Sequence, residues 1–269
     1  AILSGLVGSE MCIRDSTYTG NGSSGHAITN NGNSNLQPDI AWLKTRSSST
    51  YNHVFTDSSR GSTKVMVTQG VNAEADVTNS ITSYNTDGFT LGDWGHVNYS
   101  GVTYVGWQWK VNGGTTSANT DGALNSTVQV NATAGISLVT FTADGTTTTV
   151  GHGLGSAPDV VMVKSRNVAG GWLLMTHVLD GGMDYAYMNN EDAFTGIGYS
   201  VPTSTVFEYN DNNTNTQIAY CFKQIQGYSK FGRYYGNGNV DGTFIYCGFK
   251  PAFVIVKNVN SGVSWMIQD

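Results

Sequence analysis

One nine-residue pattern occurs three times in the chain, and it constrains the fold more than any other feature. Its copies are Pro38–Arg46, Pro158–Arg166 and Pro251–Val259, and each has a lysine six positions after the proline. Proline cannot donate a hydrogen bond to a sheet, so it suits the first residue of a strand. The mostly apolar run behind it is typical of a strand buried on both faces. The sequence therefore predicts three central strands.

The surroundings of this strand repeat as well. A glycine turn precedes each copy, and such turns are strong hairpin signals. A second apolar strand follows, and its three copies align as Asn52–Asp57, Trp172–His177 and Trp265–Asp269. Two copies also share a closing strand, Tyr104–Lys110 and Ile218–Lys223. These correspondences indicate tandem repeats.

Many short strands, little helix and no alternation of strand and helix predict an all-β fold of tandem antiparallel β-sandwich repeats. Jelly-roll or lectin-like and immunoglobulin-like sandwiches fit the pattern equally well. We place repeat 1 at 17–111, a Gly/Thr/Asn linker at 112–126, repeat 2 at 127–227 and a partial repeat 3 at 228–269. The third copy ends at its second apolar strand, so we expect it to be truncated.

The first sixteen residues are unlike the remainder. Leu6–Ser16 resembles the in-frame translation of a transposase sequencing adapter, including its uncommon Met-Cys-Ile-Arg-Asp order. Residues that come from cloning or sequencing are excluded from fold reasoning. We therefore interpret residues 1–16 as an artefact and expect a fragment assembled from environmental DNA.

Charge excludes several kinds of partner. Charged residues make up 12% of the chain and the net charge is −6, with no basic cluster. Nucleic-acid binding requires a positive footprint, and an anionic membrane surface selects for the same charge. No apolar run approaches the roughly 20 residues of a membrane span. We expect neither nucleic-acid binding nor membrane insertion.

The sequence lacks the motifs of common catalytic sites. It has no nucleophile elbow, no zinc-protease helix motif and no phosphate-binding loop. Its five histidines do not fall at short metal-ligand spacing. Cys221 and Cys247 lie in strand-like segments of different repeats, so they are either free and buried or joined between repeats. We predict no enzyme activity, no metal and no cofactor.

Two basic pairs are candidate binding residues. Lys44 with Arg46, and Lys164 with Arg166, are each two positions apart, so each pair projects from one face of its strand. Such a pair could bind a carboxylate or an acidic sugar. It could equally cover the sheet edge with its aliphatic stems and pair with internal acids. Repeat 3 has Val259 in place of the arginine.

The loop Gly92–Gly101 is a second candidate binding region, and repeat 2 shortens it. An aromatic platform with amides and carboxylates beside it suits sugar recognition. The alternative is that the aromatic side chains pack under the loop as a small satellite core. The candidate binding residues of the loop are Asp93, Trp94, His96, Asn98 and Tyr99.

The repeat resembles an uncharacterised repeat of large marine bacteriophage proteins. The resemblance rests on four stretches, Tyr18–Gly22, His152–Arg166, Asn212–Phe222 and Tyr235–Lys257. Repeat 1 departs from the pattern by having Asn30–Asn33 in place of the His-Gly-Leu-Gly turn. The resemblance implies a virion or tail structural component, and it brings no established catalytic or binding residues.

These observations lead to one expected function and two alternatives. We expect a non-enzymatic structural or binding protein of a phage tail or fibre, located in the virion. Its partners would be other virion proteins or copies of itself, and it could contact host surface glycans. One alternative is a set of carbohydrate-binding modules from a secreted polysaccharide-degrading enzyme. The other is a repeat of a bacterial surface adhesin, which would place the chain outside the cell or on its surface.

Overall fold

The computed structural model describes residues 2–4, 13–32 and 34–269. Within these residues nearly all regular structure is β-strand, and the exception is one short helix. The first strand, β1 (Ile2–Ser4), stands apart from the others in sequence. The remaining strands form three units, which we call unit 1 (residues 13–111), unit 2 (residues 112–227) and unit 3 (residues 228–269).

In the described part of unit 1 there are nine strands and the helix. In chain order they are β2 (Ile13–Thr19), β3 (His26–Ile28), β4 (Ile40–Thr45), β5 (Val54–Asp57), β6 (Gly61–Val67), β7 (Ala75–Asp76), β8 (Ile81–Tyr84), β9 (Phe89–Leu91), α1 (Gly95–Asn98) and β10 (Thr103–Trp109).

Unit 2 contains ten strands, and unit 3 contains three. In unit 2 they are β11 (Ser117–Asn119), β12 (Ser126–Asn131), β13 (Ile136–Thr142), β14 (Thr148–Gly151), β15 (Val160–Ser165), β16 (Leu173–Thr176), β17 (Asp184–Tyr187), β18 (Thr195–Gly196), β19 (Val206–Tyr209) and β20 (Thr216–Phe222). In unit 3 they are β21 (Ser229–Lys230), β22 (Phe253–Val256) and β23 (Met266–Gln268).

Units 1 and 2 have the same sheet topology. The large sheet of unit 1 has the order β2-β10-β4-β5-β6-β7, and that of unit 2 has the matching order β13-β20-β15-β16-β17-β18, extended by β12 and β11. All strand pairs within these sheets are antiparallel. A small sheet accompanies each, β3-β9-β8 in unit 1 and β14-β19 in unit 2. The predicted all-β, antiparallel sandwich architecture is confirmed.

The proline-initiated strands lie where the sequence predicts them. The strands β4, β15 and β22 each begin two residues after a proline, at Ile40, Val160 and Phe253. All six residues of β15 are buried, as expected for an apolar strand with neighbours on both sides. In unit 3 the sheet order is β21-β1-β22-β23. The strand β1 therefore takes the place that β10 and β20 take in the other two sheets.

One detail of the repeat alignment is wrong. Leu43 pairs with Val54 in unit 1, and its counterpart Val163 pairs with Leu173 in unit 2. The residue preceding the paired one is His53 in unit 1 and Trp172 in unit 2, so Trp172 corresponds to His53 and not to Asn52. The turn between the two strands differs in length by one residue, which a comparison of apolar runs does not detect.

Three main hydrophobic cores hold the fold together. In unit 1 one core packs the small sheet against the large one, through residues such as Leu43, Phe89 and Leu91. Unit 2 has an equivalent core around Val161, Met175 and Phe207. The largest core is shared by all three units, and its members include Trp42, Trp107, Met162, Trp172, Tyr220, Phe253 and Ile255. Because one face of each large sheet is buried in this shared core, the units form a single packed body.

Part of the segment set aside as an artefact lies in this body. The strand β2 begins at Ile13 and pairs with β10, so that Asp15 lies opposite Trp107. Arg14 is buried, and its guanidinium donates hydrogen bonds to Asn31 O, at 2.9 Å, and to Ser34 O. Residues 1 and 5–12, which include most of the adapter-like stretch and Cys12, lie outside the described residues.

A candidate ligand-binding surface on unit 1

Four aromatic side chains gather at the surface of unit 1, and we call them the aromatic surface: Tyr51, Trp94, His96 and Tyr99. The rings of Trp94 and His96 stack with their centroids 4.4 Å apart. The Tyr51 ring lies 5.5 Å from the His96 ring and 5.6 Å from the Tyr99 ring. Tyr99 is 54% exposed. The surface thus presents contiguous rings that can contact a ligand.

Hydrogen bonds fix the loop that carries these rings. The Tyr104 hydroxyl donates to Gly95 O at 2.7 Å and accepts from the Tyr99 N–H at 2.8 Å. The Asn52 N–H donates to His96 Nδ1 at 3.1 Å, so the proton of the neutral imidazole is on Nε2. Burial, followed by the charge of Lys44, lowers the pKa of His96 and favours this neutral form. The ring is therefore held as a neutral stacking partner.

The structure brings Lys44 of the first basic pair to this surface. Lys44 Nζ donates to Tyr51 O at 2.9 Å, and Arg46 is exposed. No carboxylate of the described residues lies within salt-bridge distance of either side chain. Two candidate groups about fifty residues apart in sequence therefore converge, and they place positive charge beside aromatic rings. This combination can bind an acidic sugar, because the rings stack on the sugar and the cation pairs with its carboxylate.

The remaining candidates in the loop have structural contacts. Asn98 is fully buried, and its amide nitrogen donates to Gly92 O at 2.7 Å and to Ser23 O at 2.9 Å. Its carbonyl oxygen accepts from the Asn21 N–H at 2.9 Å. Asp93 is exposed but accepts a hydrogen bond from Asn79 at 2.7 Å. Asn98 stabilises the loop and is not available to a ligand.

The second basic pair lies between units 1 and 2 and does not form a surface. Lys164 is fully buried and donates to Gly170 O at 2.9 Å and to Val71 O of unit 1 at 3.2 Å. Burial lowers the pKa of Lys164 to about 8. Arg166 forms a salt bridge of 3.0 Å with Glu74 of unit 1. The equivalent lysines Lys44 and Lys164 thus have different environments. In the second pair, Arg166 contacts an internal acid, Glu74.

A buried polar network at the same boundary is not apparent from the sequence. Arg60 and Asp57 form a 2.5 Å salt bridge, and both side chains are fully buried. Arg60 also contacts Glu74 at 3.0 Å, and the Tyr220 hydroxyl of unit 2 donates to Asp57 at 2.5 Å. The only sequence signal is the presence of charged residues next to an apolar strand in a chain with few charges. Residue spacing gives no indication that Tyr220 joins them.

Three further predictions concern the cysteines, metal ions and membrane insertion. Cys221, which is buried, and Cys247, which is partly exposed, are both free. Among the described residues there is no group of three or more His, Cys, Asp or Glu side chains placed to hold a metal ion. In the same part of the chain no helix is long and apolar enough to cross a membrane.

Comparison with known proteins adds one assignment. No curated protein and no solved structure matches the chain. A family described as "Domain of unknown function (DUF7483)" matches residues 10–269, which begins seven residues before Thr17 and spans all three units. The chain therefore belongs to the DUF7483 family.

Proposed function

We propose that the chain is a non-enzymatic structural protein of a phage virion, in a tail or fibre, whose partners are other virion proteins or copies of itself. Two lines of reasoning support this. The repeat resembles that of large marine bacteriophage proteins. In addition, the residues that join the units repeat from one boundary to the next, as expected of a protein that acts through its architecture.

The repeated contact that carries the proposal is an indole hydrogen bond between units. Trp172 of unit 2 donates from Nε1 to Val67 O of unit 1 at 2.9 Å. Trp265 of unit 3 donates in the same way to Tyr187 O of unit 2 at 3.1 Å. Val67 and Tyr187 are the last residues of β6 and β17, which occupy the same place in their sheets. The two boundaries therefore have one geometry.

Two further contacts occur in equivalent form at both boundaries. Lys257 of unit 3 donates to Glu191 O of unit 2 at 3.1 Å, as Lys164 does to Val71 O of unit 1. A backbone hydrogen bond runs from Phe194 N to Val259 O at 3.0 Å, and its counterpart runs from Glu74 N to Arg166 O at 2.8 Å. Contacts to backbone acceptors can recur at every boundary whatever the acceptor's side chain is, which suits a tail or fibre built of similar units.

The experiment that tests the proposal is proteomics of virus-sized particles purified by density gradient from the source material. We expect peptides of residues 13–269 to co-purify with capsid and tail proteins. Recovery of those peptides only from the cell or secreted fraction contradicts a virion location. Release of reducing sugars by the purified protein from any polysaccharide contradicts a non-enzymatic role.

The aromatic surface favours a second function, the binding of an acidic glycan. Its support is the contact of Lys44 with Tyr51, whose ring lies beside that of the exposed Tyr99. The function fits a virion protein that contacts host glycans, and it fits carbohydrate-binding modules of a secreted enzyme as well.

Calorimetry with uronate-containing and neutral oligosaccharides tests this function. We expect Tyr99→Ala to weaken binding on the order of 10-fold, because truncating an aromatic anchor removes much of a binding surface's energy. Lys44→Gln weakens binding of the acidic sugar alone. Tyr235→Ala is the control, since Tyr235 is 71% exposed on unit 3. Equal binding by all four proteins excludes a glycan site at the aromatic surface.

A further inference from the structure

Ser58, the residue after β5, lies against a glutamine of the next unit. Its Oγ is 3.0 Å from Nε2 and 3.3 Å from Oε1 of Gln129, a fully buried residue of β12. The carbon that joins those two atoms therefore lies within about 3.5 Å of Oγ, the separation at which reacting atoms are held before attack. A hydroxyl of unit 1 thus meets an amide carbon of unit 2.

A buried carboxylate contacts the same hydroxyl. Ser58 Oγ donates a hydrogen bond of 2.6 Å to Asp39 Oδ1, and Asp39 is fully buried. The backbone N–H groups of Val111, Gly113 and Gly114 hold this carboxylate in place, at 2.7, 2.9 and 2.8 Å. A base that accepts the proton of a hydroxyl turns its oxygen into a nucleophile. Asp39 is therefore positioned as the base for Ser58.

Backbone donors surround the oxygen of the same amide. Gln129 Oε1 accepts a hydrogen bond of 3.2 Å from Asn112 N and one of 2.9 Å from Gly114 N, which is shared with the carboxylate of Asp39. Such donors stabilise the negative charge that develops on a carbonyl oxygen during attack. On the other side of the amide, Nε2 donates to Ser59 Oγ at 2.7 Å. A nucleophile, a base and oxyanion donors therefore converge on one carbon.

We propose that Ser58 and Gln129 form an ester that joins unit 1 to unit 2 covalently. Asp39 takes the proton from Ser58 Oγ, and Oγ bonds to the side-chain carbonyl carbon of Gln129. The tetrahedral intermediate then breaks the bond between that carbon and Nε2, and the proton passes to the nitrogen, which leaves as ammonia. One amide and one hydroxyl become one ester and one ammonia, so the step requires no oxidant and no cofactor.

Burial and the single turnover both favour this reaction. Water has little access to Asp39 and Gln129, so the attack by Ser58 competes with little hydrolysis, and the ester is protected once it forms. The reaction occurs once in each chain, so a slow step is sufficient. The released ammonia is diluted into the solvent, which opposes the reverse reaction. The link does not depend on where the protein is located.

A second contact between a serine and a glutamine provides an internal comparison. Gln217 Nε2 donates to Ser165 Oγ at 2.9 Å, and both residues are buried. The carboxylate beside them belongs to Asp211, and it accepts a hydrogen bond of 2.9 Å from the amide nitrogen of Gln217, not from the hydroxyl. A carboxylate in that position does not take the proton of the nucleophile. We therefore expect an ester at Ser58 and none at Ser165.

Intact mass spectrometry of the purified full chain tests the proposal. We expect the mass to be lower than the mass calculated from the sequence by one ammonia molecule. Tandem spectra of a digest should show two peptides joined through Ser58 and Gln129, and alkaline hydroxylamine, which cleaves esters, should separate them. An unchanged mass after prolonged incubation of the folded protein overturns the proposal and leaves hydrogen bonds alone at this contact. A loss of ammonia that maps to Asn112 and Gly113, as in a succinimide, also overturns it.

Matched variants identify the reacting groups. Ser58→Ala should keep its full calculated mass, whereas Ser58→Thr, which retains a hydroxyl, should lose ammonia again. Asp39→Asn should slow the appearance of the link on the order of 100-fold, because a general base contributes about 10²–10⁴-fold to a rate. Ser165→Ala is the control and should react as the original chain does. Loss of ammonia from Ser58→Ala overturns the proposal, and the mass of the original chain decides the question even if a variant misfolds.

Discussion

The boundary between units 1 and 2 and the boundary between units 2 and 3 share their backbone contacts but differ in their side chains. At the first, Arg166 pairs with Glu74 at 3.0 Å. At the second, Val259 and Phe194 take those two places, and the Phe194 ring lies 6.0 Å from Trp265. The same position thus holds an ion pair in one case and apolar contacts in the other.

This difference shows which contacts depend on residue identity. A backbone carbonyl accepts a hydrogen bond whatever its own side chain, so Val67 O and Tyr187 O serve the two indoles equally although the acceptor residues differ. A buried ion pair must offset the desolvation of both charges, and apolar residues can replace it without loss of stability. The repeated geometry therefore rests on the backbone acceptors, and the ionic network is an addition at the first boundary.

The largest expected effect comes from breaking that network. Arg60→Leu leaves Asp57 buried without its cation, and Glu74 loses one of its two arginine partners. We expect a loss of about 3–5 kcal/mol in the free energy of unfolding, measured by urea denaturation. Lys64→Ala is the control, because the Lys64–Asp76 pair is 35% and 51% exposed, so water screens it and its loss should leave stability nearly unchanged. Similar losses in the two variants would contradict a special role for the buried network.

The indole contacts allow the two boundaries to be compared directly. Trp172→Phe and Trp265→Phe each remove the N–H donor and keep an aromatic ring. Trp172 is fully buried and Trp265 is partly buried. We expect a loss of about 2 kcal/mol for Trp172→Phe and about 1 kcal/mol for Trp265→Phe, because an unsatisfied carbonyl costs more where water cannot reach it. Chemical denaturation measures both, and the reverse order would contradict burial as the source of the difference.

The buried lysine makes the first boundary sensitive to pH. Burial lowers the pKa of Lys164 to about 8, below the value near 10.4 in an unfolded chain. Above pH 8 the folded state releases this proton while the unfolded state retains it, so stability rises as the pH increases. We expect the Tm of the original protein to rise between pH 8 and 9.5. Lys164→Met should lack this rise, and thermal unfolding at each pH measures both proteins. Above that range tyrosines with raised pKa values, such as Tyr220, oppose it.

The smallest expected effect comes from introducing the charged pair of the first boundary at the second boundary. Val259→Arg with Phe194→Glu installs the charged pair at the equivalent place. A partly exposed pair contributes up to about 1 kcal/mol, so we expect a favourable coupling energy below that value in a double-mutant cycle. A coupling of zero would indicate that the two boundaries differ in backbone geometry as well.

Prediction from sequence worked best for the elements that depend on local pattern. The three strands after Pro38, Pro158 and Pro251 were predicted correctly, because proline and a continuous apolar run specify a central strand wherever it packs. The all-β class followed from the same patterns. The turn before β5 was misaligned by one residue, because its length shows only in the strand register, where Leu43 lies opposite Val54 and Val163 lies opposite Leu173.

The candidate sites depended on information that the sequence does not contain. Lys44 and Lys164 occupy the same place in their repeats, yet one lies at an aromatic surface and the other is buried between units. Asn98 looked like a ligand-binding amide, but the loop uses it for its own hydrogen bonds. These outcomes depend on which loop or unit lies beside each residue.

The sequence by itself thus determined the all-β class and the central strands, because side-chain periodicity and turn chemistry act over a few residues. Only the tertiary structure decided how the units share a core, where Tyr220 meets Asp57, and which lysine remains accessible. The contact of Tyr220 with Asp57 joins residues 163 positions apart, and its geometry is set by the docking of whole sheets.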